Sequence, residues 1–159
     1  MGLMDDIKQK ARQLGKRIVL PEGEDDRILR AASTLLTRDV CDLTILGAEA
    51  SIRSRAAELG LEIDAATIVS PHDPELVERF AGEYYELRKH KGATLDAARD
   101  RVQDVSYFGT MMVQLGLADG MVSGAAHTTA HTITPSFQVI KTVPGTSIVS
   151  SVFFMCLAD

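Results

Sequence analysis

The chain has 159 residues, with 17 Lys and Arg against 22 Asp and Glu, a net charge of −5 and 45% apolar side chains. That length supports one domain, or one plus the beginning of another, and its acidic balance argues against nucleic acid as a partner, because counterion release needs a basic surface. Cys41 and Cys156 lie far apart within apolar runs, which excludes a disulfide framework and a cysteine zinc site, while the acidic N-terminus and the lack of a long apolar run predict a cytoplasmic protein without a membrane span.

Leu3, Ile7, Ala11 and Leu14 recur at helical spacing and mark an opening helix. Arg17 to Leu20 predicts a strand. The turn Pro21-Glu22-Gly23-Glu24-Asp25-Asp26 follows, with Asp25 as N-cap of a helix that buries Ile28, Leu29, Ala32, Leu35 and Leu36. Leu43 to Leu46 predicts a second strand ended by Gly47, and a helix covers about Ala48 to Leu59. Thr67 to Val69 is a third strand. Ser70-Pro71-His72-Asp73-Pro74 turns the chain into a helix with the apolar stripe Leu76, Val77, Phe80, Tyr84 and Leu87. Further helix is expected from Leu95 to Leu115, with a break near Asp104. Met121-Val122 belongs to a fourth strand, Thr128 to Lys141 reads as helix, and Ser147 to Leu157 as a fifth, fully buried strand.

Strands joined through helices predict an α/β fold with a doubly wound, mostly parallel sheet and helices on both faces. Beyond residue 104 only Asp119, Lys141 and Asp159 carry charge, so the polarity of the last third comes from Ser, Thr and His, which can be buried against other protein when hydrogen-bonded. The apolar run Val152-Phe153-Phe154-Met155-Cys156-Leu157 near the end is expected to mark a truncation or a segment paired by another chain. The domain reading is 1–145 as a first α/β domain, with 146–159 as the first strand of a second.

In open α/β sheets ligands bind beyond the carboxyl ends of strands. The foremost candidate there is Asp119-Gly120-Met121-Val122-Ser123-Gly124-Ala125-Ala126-His127-Thr128-Thr129, in which a strand runs into small residues and then hydroxyls at a helix start, with unpaired amides available to an anion. Neither a Walker loop nor the three-glycine dinucleotide spacing is present. The competing reading is that Thr128 or Thr129 only caps the helix. His127 and His131, four apart on the expected helix, share a face. No nearby acid or cysteine supplies a third ligand, so hydrogen bonding is preferred to metal, and no metal is expected. Arg88-Lys89-His90-Lys91-Gly92 sets cations at a helix C-terminus, where they offset the macrodipole or hold a phosphate. The acids Glu22, Glu24, Asp25 and Asp26 are read as first-turn stabilisers.

Several segments, in order, resemble phosphate acetyltransferases: Val19 to Leu29, Tyr85 to Gly92, Tyr107 to Met112, Ala118 to Thr129, Ile140-Lys141-Thr142 and Ser150 to Met155. The resemblance implies reversible acetyl transfer between acetyl phosphate and coenzyme A, with CoA a co-substrate and no bound cofactor. It also implies two domains of the isocitrate/isopropylmalate dehydrogenase-like type, a cleft site and a homodimer. By position, Ser123, Gly124, Ala125, His127, Thr128 and Thr129 match the family's ligand-binding loop, and Arg88 an arginine that holds CoA. Thr134 stands where some members have a second CoA-linked arginine. The family's catalytic aspartate, with its serine and arginine helpers, belongs to a later C-terminal segment, so no catalytic residue is expected in this chain and the 159 residues alone are expected to be inactive. An acetyl-CoA-sensing regulatory domain and a phosphate butyryltransferase are the alternative readings.

Overall fold

The computed structural model describes residues 2–152 and residue 155. Four parallel strands, β1 (Arg17–Leu20), β2 (Asp42–Leu46), β3 (Thr67–Val69) and β4 (Gly120–Met121), lie in the spatial order β3-β2-β1-β4. The helices are α1 (Leu3–Leu14), α2 (Asp26–Thr37), α3 (Glu49–Glu58), α4 (Pro74–Arg88), α5 (Leu95–Val102), α6 (Val105–Gln114) and α7 (Thr129–Val139), with a 3₁₀ turn at Lys89–Lys91.

Successive strand residues point to opposite faces, and the core divides accordingly. Leu20 and Ile45 join Leu29, Ala32, Ile52 and Ala56 beneath α2 and α3. Val19 and Leu46 join Phe80, Tyr84, Val102, Phe108 and Met111 beneath α4 to α7. Helices on both faces of a parallel sheet make the doubly wound layer expected from the pattern. Phe80 and Phe108, both fully buried, meet edge to face with centroids 4.8 Å apart. Helix α6 is buried from Ser106 through Met112, and Gly109 lets it approach β1 and β4: a Cβ there would meet Met121 Sδ at 2.6 Å.

Short polar side chains start the helices. Asp25, Asp73, Thr94, Asp104 and Thr128 each accept a first-turn amide hydrogen, which offsets the unpaired donors of that turn. The expected break near Asp104 is therefore a cap between two helices. The stripe of α4 buries Val77, Phe80, Ala81 and Tyr84, with Leu76 and Leu87 only partly covered. Helix α1 forms, but none of its residues is buried.

Three expectations are corrected. Strand β4 is Gly120–Met121 and stops before Val122. The helix expected from Thr128 runs from Thr129 to Val139, so His127 lies outside it, ahead of the cap. The fifth, buried strand is not formed by Ser147–Val152 or Met155, which are exposed, Ile148 and Val152 each at 74%. Phe153, Phe154, Cys156 and Leu157 lie outside the described residues. An apolar run becomes a buried strand only where a neighbour supplies hydrogen bonds and a second layer covers it, and among the described residues nothing supplies either.

Candidate functional site

From β1 the chain winds outward through β2 and β3, then α4, α5 and α6 carry it back across to β4 on the other side of β1. The reversal of winding falls between β1 and β4, so the loops after these two strands diverge around a crevice. The turn 21–25 and the loop 122–128 face each other there. Asp119 braces the opposite end of this strand pair: its carboxylate accepts the Arg17 amide at 2.9 Å and pairs with Lys16 and Arg17, and these donors, the Arg17 backbone first, hold its pKa at about 2.

Glu22 fills the crevice. Its Oε2 accepts the amides of Gly124 at 3.0 Å and Ala125 at 2.8 Å, and its Oε1 those of Ala126 at 2.8 Å and His127 at 2.9 Å. Oε1 also receives His127 Nδ1 at 2.8 Å. Consecutive amides converging on one anion form a nest, which Gly124 permits by adopting a φ of +113°. Burial alone would raise the Glu22 pKa, but the donors from Ala126, Ala125 and His127 together outweigh it and hold it at about 2. The expectation of free amides along this loop is thus corrected: the carboxylate of Glu22, which sequence reasoning placed among first-turn stabilisers, already takes them. Only the presence of an acid in a β1 turn signalled it, and nothing in the sequence pairs that acid with a loop 102 positions away.

The loop is tied from its other side as well. Arg27, paired with Asp25 at 2.7 Å, donates to the Ala125 carbonyl at 2.5 Å. Beyond the nest, Thr128 Oγ1 accepts the His131 amide at 3.3 Å, which is the capping role. Thr129 opens α7 and is exposed, while the Oγ atoms of Ser123 and Thr132 are buried without a hydrogen-bond partner. The His127 and His131 rings stack in parallel, 4.5 Å between centroids and 14° between planes, so their nitrogens do not converge. His131 Nε2 lies 2.8 Å from Asp104 Oδ2 and its Nδ1 3.1 Å from Ser106 Oγ. Among the described residues no group of three or more His, Cys, Asp or Glu is placed to hold a metal ion.

Two cavities flank this assembly. One, of about 380 Å³, is lined by Glu22, Asp25, Ser70, His72, Ala126 and His127. The other, of about 300 Å³, holds Arg88, Lys91 and Arg101 with Tyr84 and Gln138. Both Tyr84 and Tyr107 donate to Gln138 Oε1, at 2.9 and 3.0 Å, and Arg101 lies over the Tyr107 ring. The structure therefore separates Arg88 from the other candidates: from Thr129 to Gln138 is roughly 14 Å of helix axis. Thr134, between them, bonds back to the Ala130 carbonyl at 2.6 Å.

A family model described as "Phosphate acetyl/butaryl transferase" matches residues 2–159. Phosphate acetyltransferase of Corynebacterium glutamicum is 58% identical over 151 residues, 95% of this chain and 46% of the relative. That of Clostridium acetobutylicum is 43% identical over 159 residues, 100% of this chain and 48% of the relative. Among solved structures, the EutD phosphotransacetylase of Staphylococcus aureus superposes with a TM-score of 0.89 at 42% identity, covering 99% of this chain and 47% of that one. The chain thus spans about half the length of these relatives, and 21% of the Escherichia coli phosphate acetyltransferase, to which it is 46% identical.

Proposed function

The chain belongs to the phosphate acetyl/butaryl transferase family, and from that premise we propose that it supplies the first α/β unit of an enzyme moving an acetyl group between acetyl phosphate and coenzyme A. The observation that carries this reading is the match along residues 2–159, together with relatives named phosphate acetyltransferase. Residues 1–145 form the proposed unit and 146–159 lead into the next. The proposed setting is the cytoplasm and the proposed assembly a homodimer. Among the described residues no helix is long and apolar enough to cross a membrane.

The geometry supports a ligand held at two ends. At the β1/β4 crevice, Thr128 and Thr129 offer hydroxyls beside the start of α7, where first-turn amides favour a phosphoryl group, while Ser123 stands behind them with its Oγ buried. Gly124, Ala125 and His127 shape that wall. At the far end of α7, Arg88, Lys91 and Arg101 line one cavity, and none of the three has a carboxylate partner among the described residues, which suits the phosphates of CoA. A ligand as extended as CoA can touch both places at once.

Acetyl transfer needs a base to take the thiol proton, donors for the tetrahedral oxyanion, and two substrates aligned in one complex. This chain's residues bind and align. The proton-abstracting group is assigned to the part of the relatives' length that the chain does not span, so the 159 residues bind CoA and turn nothing over. Calorimetric titration with CoA tests the first half of this statement. Fusion in frame to the C-terminal half of the Corynebacterium glutamicum enzyme tests the second, through arsenate-dependent loss of acetyl phosphate. Failure to bind CoA at millimolar concentration, together with an inactive but folded fusion, overturns the reading.

A further inference from the structure

The nest at the head of the β1/β4 crevice has the geometry that elsewhere receives phosphate, yet here it is filled from within the chain. The Glu22 side chain is 1% exposed, and both of its oxygens are saturated by the four amides and the imidazole. Each backbone amide carries a single hydrogen, and all four direct it at Glu22, so no amide in this nest is left for a second anion. The turn that carries Glu22 cannot withdraw. A Cβ on Gly23 would lie 2.4 Å from the Leu46 carbonyl oxygen and 2.6 Å from Ile45 Cγ2, so the backbone beside Glu22 is wedged against β2.

We propose that Glu22 is a resident internal anion: its carboxylate takes the phosphate position of the Gly124–His127 nest, excludes free phosphate from those amides, and positions His127 as the Nδ1–H tautomer. The ring's Nε2 then remains as the acceptor, without a partner among the described residues, on a side chain that lines the cavity of about 380 Å³. Glu22 is a positioning residue, acting through the loop and the imidazole. That His127 borders substrate rests on the acetyl-transfer reading above, whereas occupancy of the nest and the choice of tautomer do not. Amides so occupied hand the binding of a phosphoryl group to Thr128, Thr129 and the first turn of α7.

The test uses the 159-residue chain labelled with ¹⁵N and needs no turnover, so its failure is separable from failure of the enzymatic reading. Imidazole ¹⁵N shifts report the tautomer, and His127 is expected to carry its proton on Nδ1. Excess inorganic phosphate is expected to leave the amide shifts of Gly124 to His127 unmoved. In Glu22→Ala these amides exchange at least about tenfold faster and His127 becomes a mixture of tautomers. Added acetate or phosphate, entering the vacated nest, then restores both signatures, a rescue that a purely structural side chain would not show. Where Glu22→Ala loses its dispersed spectrum, the near-isosteric Glu22→Gln is read instead, because its amide group presents N–H to two of the donors. The proposal is overturned by phosphate shifting the wild-type nest amides, by an Nε2–H tautomer in the wild type, by unchanged exchange and tautomer in whichever variant is read, or by a folded alanine variant that neither anion restores.

Discussion

Glu22 Oε1 receives both the backbone amide and the ring Nδ1 of His127, at 2.9 and 2.8 Å, across 105 positions of sequence. This pair closes the crevice between the two strands at which the sheet reverses its winding, and it ties the acid stability of the fold to the shape of the candidate site.

The Glu22 carboxyl sits at about 2 in the folded chain against an ordinary 4.5. Its folded pKa is depressed, so its stabilisation is complete above about pH 4.5 and is lost as pH falls toward 2. The difference corresponds to about 3 kcal/mol. Urea unfolding followed from pH 6 to pH 2 should show the loss, and Glu22→Gln should flatten the part that Asp25 and Asp119, also held at about 2, do not contribute. Equal pH slopes in the two proteins would dismiss this account.

Gly23→Ala places a methyl group against the Leu46 carbonyl, Ile45 and Ile52, all within 2.8 Å. It should cost about 3 kcal/mol by urea denaturation. Gly82→Ala, in the interior of α4 with nothing within 4 Å of the new carbon, should instead add about 0.5–1 kcal/mol. Similar effects of the two changes would contradict the packing described.

Asp104 caps α6 through the amides of Ser106 and Tyr107 and holds His131 of α7 by its other oxygen. Asp104→Ala should destabilise by about 2 kcal/mol, more than the loss of an isolated cap. A double-mutant cycle with His131→Ala should return a coupling of about 1 kcal/mol, and strict additivity would remove the inter-helix link.

Arg88→Ala and Arg101→Ala should each weaken CoA binding about tenfold in calorimetry, the loss of one charge-assisted contact. Arg53→Ala, whose guanidinium pairs with Glu49 on the outer face of α3, should leave the affinity unchanged. Equal affinities in all three variants would take the basic cavity out of the binding reading.

Much of this molecule was legible in order along the chain. Strand β1 falls on Arg17–Leu20 and β3 on Thr67–Val69, as their short apolar runs predicted, and Asp25 caps α2 as its place before an amphipathic stretch required. Periodicity and capping are local properties, read within one or two turns of chain. The exposed run at Ser147–Val152 misled for the complementary reason: apolar, β-branched composition says that a segment can pair, not that a neighbour exists to pair it.

By itself the sequence determined the alternation of strands and helices, hence a parallel sheet covered on both faces, and the family to which its ordered segments point. Tertiary structure alone decided the occupant of the crevice and the division of the polar candidates between the two ends of α7. Hydrogen bonds between Glu22 and Gly124–His127 depend on where β1 and β4 end in space, and a one-dimensional pattern carries no record of which distant loop a buried carboxylate will meet.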